Sequence, residues 1–309
     1  MRLREARWAP RARRARVTQG HVGVLAQIGS ASYNECMSNP LLAHDEPPAV
    51  EIRDRTGHSR AVITCDHARN RVPRALNDLG LDARALASHV AWDPGALQVA
   101  ERLAWHLDAP LVASGYSRLV VDLNRPLGVP SSIAEMSETT EVPGNLELTP
   151  EAAHARIEAL FWPYHHALGE FLDDRLRAPR PPRYVAVHSF TPVYFGDPRE
   201  MEVCVSWHTD DRLARLILPR LMADDALIVS ENEPFAITLR GDFGIPQQAE
   251  RRGIANVMIE IRQDLIATEE AAHAWGDRLA QILGPVLDDP SLDPLRPPPD
   301  LPPFGRAPA

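Results

Sequence analysis

Seven short runs of apolar, β-forming residues lie along the chain, separated by longer segments with helical periodicity. Several runs are apolar throughout and do not alternate with polar residues, which is typical of strands covered on both faces. A sheet covered on both faces needs a layer of helices on each side. The pattern therefore predicts an α/β fold, a three-layer sandwich around a mixed, largely parallel central sheet. The runs are residues 61–65, 109–113, 118–123, 183–188, 201–207, 226–230 and 256–261.

The segments between the runs predict amphipathic helices. Residues 94–107 repeat apolar side chains at helical spacing, with Pro94 at the first helical position. Residues 149–176 begin with Thr149 as the N-cap, and Pro163 must kink or divide the helix. In α/β sheets, ligands bind outside the carboxyl ends of the strands, so functional residues are expected there. Two further helices are predicted over residues 209–223 and 269–283.

Composition divides the chain into three regions. Residues 1–48 mix Arg, Ser, Asn and Pro without sustained periodicity, which predicts a poorly ordered N-terminal extension. Residues 289–309 are so rich in proline that neither a helix nor a central strand can persist, which predicts a Pro-rich tail. Residues 49–288 remain as one catalytic domain, long enough to bury a core without disulfides or structural metals.

Charge and cysteine content limit the classes of partner. The formal net charge is −9, and the first 36 residues hold seven Arg against two Glu, so the rest of the chain is more acidic still. An acidic body argues against nucleic acid or an anionic membrane as a partner. No apolar run approaches the roughly 20 residues of a membrane helix. Three cysteines without CxxC spacing (Cys36, Cys65 and Cys204) argue against a disulfide framework and predict a cytoplasmic location.

A carboxylate inside an apolar run is the clearest sign of function. Glu260 has Ile259 and Ile261 as neighbours in the run 256–261, which otherwise predicts a buried strand. Burying an unpaired carboxylate is costly, so something must compensate it. Two explanations are open: an internal salt bridge with Arg262 or Arg118, or a role in catalysis.

Two histidines lie where predicted strands end. His67 follows the run 61–65, and His188 closes the run 183–188. A metal ligand on a rigid scaffold would take such a position, although a capping or structural role is also open. There is no compact HExxH motif, so a metal site would have to combine distant segments. The histidines within helical segments are interpreted as ordinary surface or half-buried residues: His106, His154, His165 and His166.

Two arginines bracket another predicted strand. Arg118 precedes and Arg125 follows the sequence LVVDLN. Arg125, beside Asn124 at the strand exit, could bind a substrate carboxylate through two parallel hydrogen bonds. The alternative is a salt bridge to Asp122 or another acid.

Eight short motifs together resemble one protein family. They occur in the order seen in the N-formylglutamate amidohydrolases, from about residue 50 to 285. The resemblance implies a fold like that of the zinc carboxypeptidases and aspartoacylases, with one zinc ion at the strand ends. It also implies hydrolysis of N-formyl-L-glutamate to formate and L-glutamate, a step of amino-acid catabolism. The motifs are CDHARNRVP, HVAWDPGA, YSRLVVDLNRP, VPGN, PYHHAL, VAVHSFTPV, ENEPF and IEIRQDL.

The resemblance also implies roles for individual residues. His67 corresponds to the first zinc-binding histidine and His188 to the later one, while Glu260 corresponds to the glutamate that activates water. Arg125, with Asn124, resembles the clamp on the substrate carboxylate. Arg118 is expected to stabilise the oxyanion that forms during hydrolysis.

The sequence departs from related patterns at two places. Carboxypeptidase-like enzymes use HxxE, but Asn70 stands at the last position here. Asp93 of AWDPG resembles an acidic position near a Trp in the amidohydrolases, and a carboxylate suits zinc better than an amide, so Asp93 is the expected third metal ligand, with Asp66 and Asn70 as alternatives. Gln247 and Gln248 stand where the family suggests a histidine, so a contact to the substrate is expected to differ.

These expectations leave the function open in three respects. Another divalent metal can replace zinc in a site of this kind. The enzyme could instead remove a different acyl group from an amino acid or a peptide-like amide. A non-catalytic relative that binds a metal ion or a carboxylate is the remaining alternative.

Overall fold

The computed structural model describes residues 41–53 and 56–305. Predictions for Cys36 and for most of the N-terminal extension therefore lie outside the described residues. The described part contains the strands β1 (Val50–Arg53), β2 (Ala61–Cys65), β3 (Leu111–Ser114), β4 (Met136–Ser137), β5 (Thr140–Glu141), β6 (Arg183–Phe190), β7 (Val193–Tyr194), β8 (Asp197–Pro198), β9 (Val203–Ser206), β10 (Val229–Glu231) and β11 (Asn256–Arg262). The helices are α1 (Ala83–Ala87), α2 (Ala96–Leu107), α3 (Pro150–Arg156), α4 (Trp162–Leu176), α5 (Arg212–Leu221) and α6 (Glu269–Leu287).

Seven of the strands form one sheet, in the order β1-β3-β2-β6-β11-β9-β10. Neighbours from β3 to β11 are parallel, and so are β9 and β10. The pairs β1/β3 and β11/β9 are antiparallel. The other four strands form two small hairpins, β4-β5 and β7-β8. The prediction of a mixed, largely parallel sheet is confirmed.

Helices cover both faces of the sheet. One apolar core joins alternate strand residues such as Ile63 and Val187 to α2, α5 and α6. The second core joins the intervening residues, such as Val62 and Tyr184, to α4 and to the segment around Phe243. The central strands are buried along almost their whole length because both faces are covered. The three-layer α/β sandwich is thus confirmed.

The predicted strand over residues 118–123 is wrong. Residues 119–123 are buried, but residues 118–120 and 123 lie in turns, and Val120 N–H donates to the carbonyl of Ser117 at 3.1 Å. Local side-chain bonds compete with sheet pairing here. Ser117 Oγ accepts from Leu119 N–H at 3.1 Å, and Asp122 Oδ1 accepts from Asn124 N–H at 2.9 Å. The apolar residues fill the second core without joining the sheet.

Most helix predictions hold, with shifted ends. Thr149 caps α3 by accepting from Ala152 N–H at 3.3 Å. A π-helical turn, Ile157–Phe161, separates α3 from α4 directly before Pro163, whose missing N–H breaks the regular bonding pattern. α2 begins at Ala96 after Gly95 in a left-handed conformation, so Pro94 is not its first residue. β1 was not predicted, because four residues at an edge of the sheet give little periodicity.

Residues 290–305 pack on the rest of the described chain. A short 3-10 turn, Pro290–Leu292, buries the side chain of Leu292. Asp293 pairs with Arg183 at 2.5 Å, and Arg296 N–H donates to the carbonyl of Gly253 at 2.9 Å. Among the described residues, no helix combines the length and the apolar character needed to cross a membrane.

Candidate metal centre and active site

The candidate site lies at the carboxyl ends of parallel strands. β2, β6 and β11 end at the same edge of the sheet, and His67 follows β2 after one intervening residue. Glu260 of β11 lies directly beside His188 of β6 in the strand register. Because side chains alternate along a strand, both project from the face that carries Met258 and Ala186 in the second core. Strand direction and alternation thus bring residues that are distant in sequence together.

His67, Asp93 and His188 form a buried cluster. Each offers one ligand atom, and these atoms lie within 4.8 Å of one another. The Oδ2 atom of Asp93 is 3.4 Å from Nδ1 of His67 and 3.0 Å from Nδ1 of His188. The backbone N–H of Asp93 also donates to the carbonyl of His67 at 3.0 Å, which fixes the loop that carries the aspartate. The two imidazoles and the carboxylate therefore converge on one point.

A second carboxylate stands behind each histidine. Nε2 of His67 is 2.7 Å from Oδ1 of Asp122, and Nε2 of His188 is 3.6 Å from Oδ2 of Asp66. Asp66 also accepts a hydrogen bond from the hydroxyl of Tyr164. Carboxylates in this position orient metal-binding imidazoles and leave the other ring nitrogen free to bind. Sequence reasoning did not identify the placement of Asp122 and Asp66 beside these imidazoles.

The electrostatics of the cluster suit a cation. Burial opposes protonation of His188, but the carboxylates of Asp66 and Asp93 outweigh it and raise the pKa of His188 to about 10. Burial likewise opposes the charge of Asp93, and the two imidazoles hold its pKa below the ordinary range. The fold has therefore placed negative charge around two buried imidazoles, which a bound cation would balance.

The donor types fit a divalent metal ion. Two imidazole nitrogens and one carboxylate oxygen are a usual three-residue set for a catalytic zinc ion, with a further position for water or substrate. The alternatives to Asp93 lie elsewhere. Asp66 is on the far side of the His188 ring, and the amide of Asn70 donates to the carbonyl of Leu86 at 2.9 Å. A buried His67, Asp93 and His188 group could thus hold the metal.

Glu260 faces the same cavity without a partner among the described residues. Its side chain is 9% exposed, and it forms no hydrogen bond or ion pair with any residue in the described ranges. Burial raises the pKa of Glu260 to about 7, against the charge of His188. Among the described residues, the predicted salt bridge between Glu260 and Arg262 or Arg118 is therefore wrong. Arg262 pairs with Asp264 at 2.7 Å, and Arg118 pairs with Asp122 at 2.7 Å.

Arg118 and Arg125 also reach the cavity. Arg118 binds Asp122 through Nε at 3.0 Å and Nη2 at 2.7 Å, and its Nη1 is 3.5 Å from Asp93. Arg125 donates to the carbonyls of Asn124 and Gly241. The alternative predicted for Arg125, a salt bridge to Asp122 or another acid, is present: Arg125 lies 4.0 Å from Asp122 and 3.8 Å from Asp242.

Asn124 ties two loops together. Its Oδ1 accepts from the backbone N–H groups of Phe243 at 3.1 Å and Gly244 at 2.9 Å, and its amide donates to Asp242 at 3.2 Å. These bonds hold the segment that carries Arg125 against the loop before Gly244. The geometry gives Asn124 a positioning role, and its predicted contact with the substrate stays a prediction.

The site opens into a cavity of about 970 Å³. The hairpins β4-β5 and β7-β8 contribute to its walls, and Phe195 N–H of one donates to Glu138 of the other at 2.7 Å. Gln247 and Gln248 are not among the described residues that line it, and the expectation that a contact to the substrate differs here stays a prediction. Gln248 instead donates to His165 Nδ1 at 3.2 Å.

Comparisons with known proteins agree with this architecture. A sequence profile of the family described as N-formylglutamate amidohydrolase matches residues 59–267. A crystal structure of a gene product from Agrobacterium tumefaciens is similar with 37% identity and a TM-score of 0.77, covering 80% of this chain and 98% of that one. An N-formylglutamate amidohydrolase from Ralstonia eutropha JMP134 shares the fold at 17% identity and a TM-score of 0.55, covering 78% and 98%. No curated protein matched the sequence.

Proposed function

The chain belongs to the N-formylglutamate amidohydrolase family, and on this premise we propose that it is a metal-dependent hydrolase that cleaves N-formyl-L-glutamate to formate and L-glutamate. The observation that carries the proposal is the convergence of His67, Asp93 and His188 beside the buried Glu260. All four lie within residues 49–288, which we propose as the catalytic domain. The buried free thiols of Cys65 and Cys204 are compatible with the cytoplasm, where we expect this step of amino-acid catabolism.

One metal ion, most simply zinc, would be held by His67, Asp93 and His188. When bound, the metal supplies Lewis acidity, which acidifies water and polarises the amide carbonyl. Asp122 and Asp66 would keep the two imidazoles oriented by binding the ring nitrogens that face away from the metal.

Glu260 is proposed as the general base. Its carboxylate takes a proton from the attacking water while the water oxygen bonds to the acyl carbon. As the carbon–nitrogen bond of the amide breaks, Glu260 returns the proton to the departing amine nitrogen. Support comes from its position next to His188 and from the absence of any competing ion pair within the described ranges.

The arginines are proposed to act on charge. Arg118 lines the cavity beside Asp93 and would donate to the oxyanion that develops on the former carbonyl oxygen. Arg125 would hold a carboxylate of the amino acid so that the amide carbon meets the water. Asn124 keeps that arginine in place through its bonds to the neighbouring loop.

A different acyl group is the main alternative, and the size of the cavity favours testing it. A volume of about 970 Å³ lies at the upper end of the roughly 300–1,000 Å³ that pockets for drug-sized ligands occupy. N-formyl-L-glutamate is a small molecule by comparison. N-acetyl, N-succinyl and larger N-acyl glutamates should therefore be compared with the formyl compound.

The test measures release of carboxylate and of L-glutamate by the purified full-length protein. Samples are treated with chelator and then supplied with zinc, manganese, cobalt or iron(II). We expect activity that the chelator removes and one metal restores. Glu260→Gln should bind the metal and lower kcat by at least about 100-fold, since general base catalysis contributes about 10²–10⁴-fold.

Glu170→Gln is the matched control, because Glu170 is exposed on α4. It should behave as wild type. Full activity in Glu260→Gln, or activity that survives complete metal removal, would contradict the mechanism. Tight binding of a metal ion without hydrolysis of any N-acyl amino acid would favour a non-catalytic binding protein.

A further inference from the structure

Arginine side chains contribute positive charge to the wall of the cavity. Among the described residues, three arginines line the cavity: Arg118, Arg125 and Arg199. The first is bound by Asp122 and Asp93, and the second lies 3.8 Å from Asp242 and 4.0 Å from Asp122. The charges of these two arginines are therefore offset within the protein. Arg199 differs in this respect.

The guanidinium of Arg199 lies over three aromatic rings of the described chain. It lies 4.5 Å from the ring centre of Tyr194, 4.9 Å from that of Phe235 and 5.7 Å from that of Phe190. Within the part of the chain that the structure describes, its N–H groups make no hydrogen bond and no ion pair. Rings stabilise the charge, but they leave five N–H donors without a strong acceptor.

The loop that carries Arg199 is held in place. The backbone N–H of Arg199 donates to the carbonyl of Pro192 at 2.8 Å. Nη1 of Arg262 donates to the carbonyls of Arg199, Glu200 and Met201 at 3.2, 2.9 and 3.2 Å. Arg262 is two residues beyond Glu260 on β11 and projects from the same face. The backbone at Arg199 is thus held against β11, the strand that carries the proposed base Glu260.

Partial burial makes it informative that no described carboxylate forms a hydrogen bond or ion pair with the guanidinium of Arg199. Arg199 is half-buried, and this lowers the pKa of its guanidinium, with Glu260 the foremost opposing charge. A half-buried cation without an acceptor is stabilised by an anion that enters the cavity. A planar carboxylate is the anion that matches a guanidinium through two parallel hydrogen bonds.

We propose that Arg199 is a second substrate-carboxylate receptor of this site, so that the enzyme selects N-acylated amino acids with an acidic side chain. The proposal rests on the proposed function for the identity of the substrate. One carboxylate would bind Arg199 and the other Arg125. Arg125 after β3 and Arg199 after β8 would then bind the two carboxylates of one substrate.

The first measurement is binding, which does not depend on turnover. Glutarate carries two carboxylates and no amide, and its affinity can be measured by calorimetry with the full-length protein. Arg199→Gln should weaken binding about 10- to 100-fold, as for loss of a charge-assisted pair, and Arg199→Lys should lose less. Arg215→Gln is the control, because Arg215 is exposed on α5 and pairs with Asp211.

The second measurement separates the two carboxylates. Values of kcat/KM are compared for N-formyl-L-glutamate, for N-formyl-L-glutamine and for the α-amide of N-formyl-L-glutamate. The penalty of Arg199→Gln should be large for the diacid and absent for one of the two amides, which identifies the carboxylate that Arg199 binds. An equal penalty on all three substrates, or none on any, would overturn the proposal.

The two proposals fail in different ways. Turnover of N-formyl-L-glutamate with unchanged kinetics and glutarate affinity in Arg199→Gln would refute the role of Arg199 and leave the hydrolase intact. Glutarate binding that depends on Arg199, without hydrolysis of any N-acyl substrate, would refute the hydrolase and support the receptor. If wild-type protein does not bind glutarate, the receptor is refuted.

Discussion

Replacing His165 by glutamine should make the stability of the protein less sensitive to acid. His165 lies on α4 with 1% of its surface exposed, so its interpretation as a surface or half-buried histidine is wrong. Nε2 is 2.8 Å from the carbonyl of Leu123, and the amide of Gln248 donates to Nδ1 at 3.2 Å. These bonds require a neutral ring with its proton on Nε2.

The size of the effect follows from the pKa. Burial lowers the pKa of His165 from 6.5 to about 4. As the pH falls, the unfolded chain takes up a proton near pH 6.5, whereas the folded protein takes it up only near pH 4. The stabilisation is therefore complete above pH 6.5 and is lost as the pH falls to 4. A difference of about 2.5 pKa units, at about 1.36 kcal/mol each, corresponds to roughly 3 kcal/mol.

The pH dependence of the free energy of unfolding can be measured by urea unfolding at pH 7, 6, 5 and 4, followed by circular dichroism. Glutamine can donate to Leu123 and accept from Gln248, but it does not titrate. The His165→Gln variant should therefore lose roughly 3 kcal/mol less than wild type between pH 7 and pH 4. His166→Gln is the control, because His166 is exposed on the next position of α4. An identical pH dependence in His165→Gln and wild type would refute the reasoning.

Three further results are expected. Gly244→Ala should destabilise the fold by about 1–3 kcal/mol, because a Cβ there would lie 2.9 Å from the hydroxyl of Tyr184. Gly284→Ala should not destabilise it, because its Cβ would lie 3.7 Å from the nearest side-chain atom. Equal urea midpoints for the two variants would contradict this prediction. Asp122→Asn should weaken zinc binding about 10- to 100-fold in chelator competition, because it removes the carboxylate 2.7 Å from His67; an unchanged affinity would count against the oriented imidazole. Zinc at about 100 times its Kd should stabilise the protein by about 2.7 kcal/mol and raise the melting temperature, and chelator should reverse the increase. A melting temperature that neither zinc nor chelator changes would argue against a metal bound in the native state.

The layers of the fold could be predicted because burial leaves a direct trace in sequence. The runs at 61–65, 183–188 and 256–261 are apolar on both faces, and all three became central strands. Residues 119–123 are also largely apolar and equally buried, yet this segment turns and does not join the sheet. Apolar composition reports burial, and the choice between strand and turn depended on local bonds from Ser117 and Asp122 that composition does not show.

The inner part of the site was predictable for a related reason. His188 and Glu260 sit on strands, where register and alternation fix the direction of a side chain. His67 follows its strand so closely that its place at the sheet edge is also determined. The roles of Asp122 and Asp66 could not be read in this way, because they depend on which nitrogen of each imidazole faces the cluster.

The outer part of the candidate site is formed by loops, and the positions of their side chains could not be predicted from the sequence. Arg199 follows the β7-β8 hairpin, and nothing in its neighbours indicates that it faces the strand carrying Glu260. Its position depends on Arg262, which binds three consecutive carbonyls of that loop. If this anchor sets substrate choice, Arg262→Gln should raise KM for the diacid more than it lowers kcat, because the loop would move while Glu260 stays on its strand. A fall in kcat alone would mean that Arg262 acts on Glu260, the proposed base, and that the loop does not determine specificity.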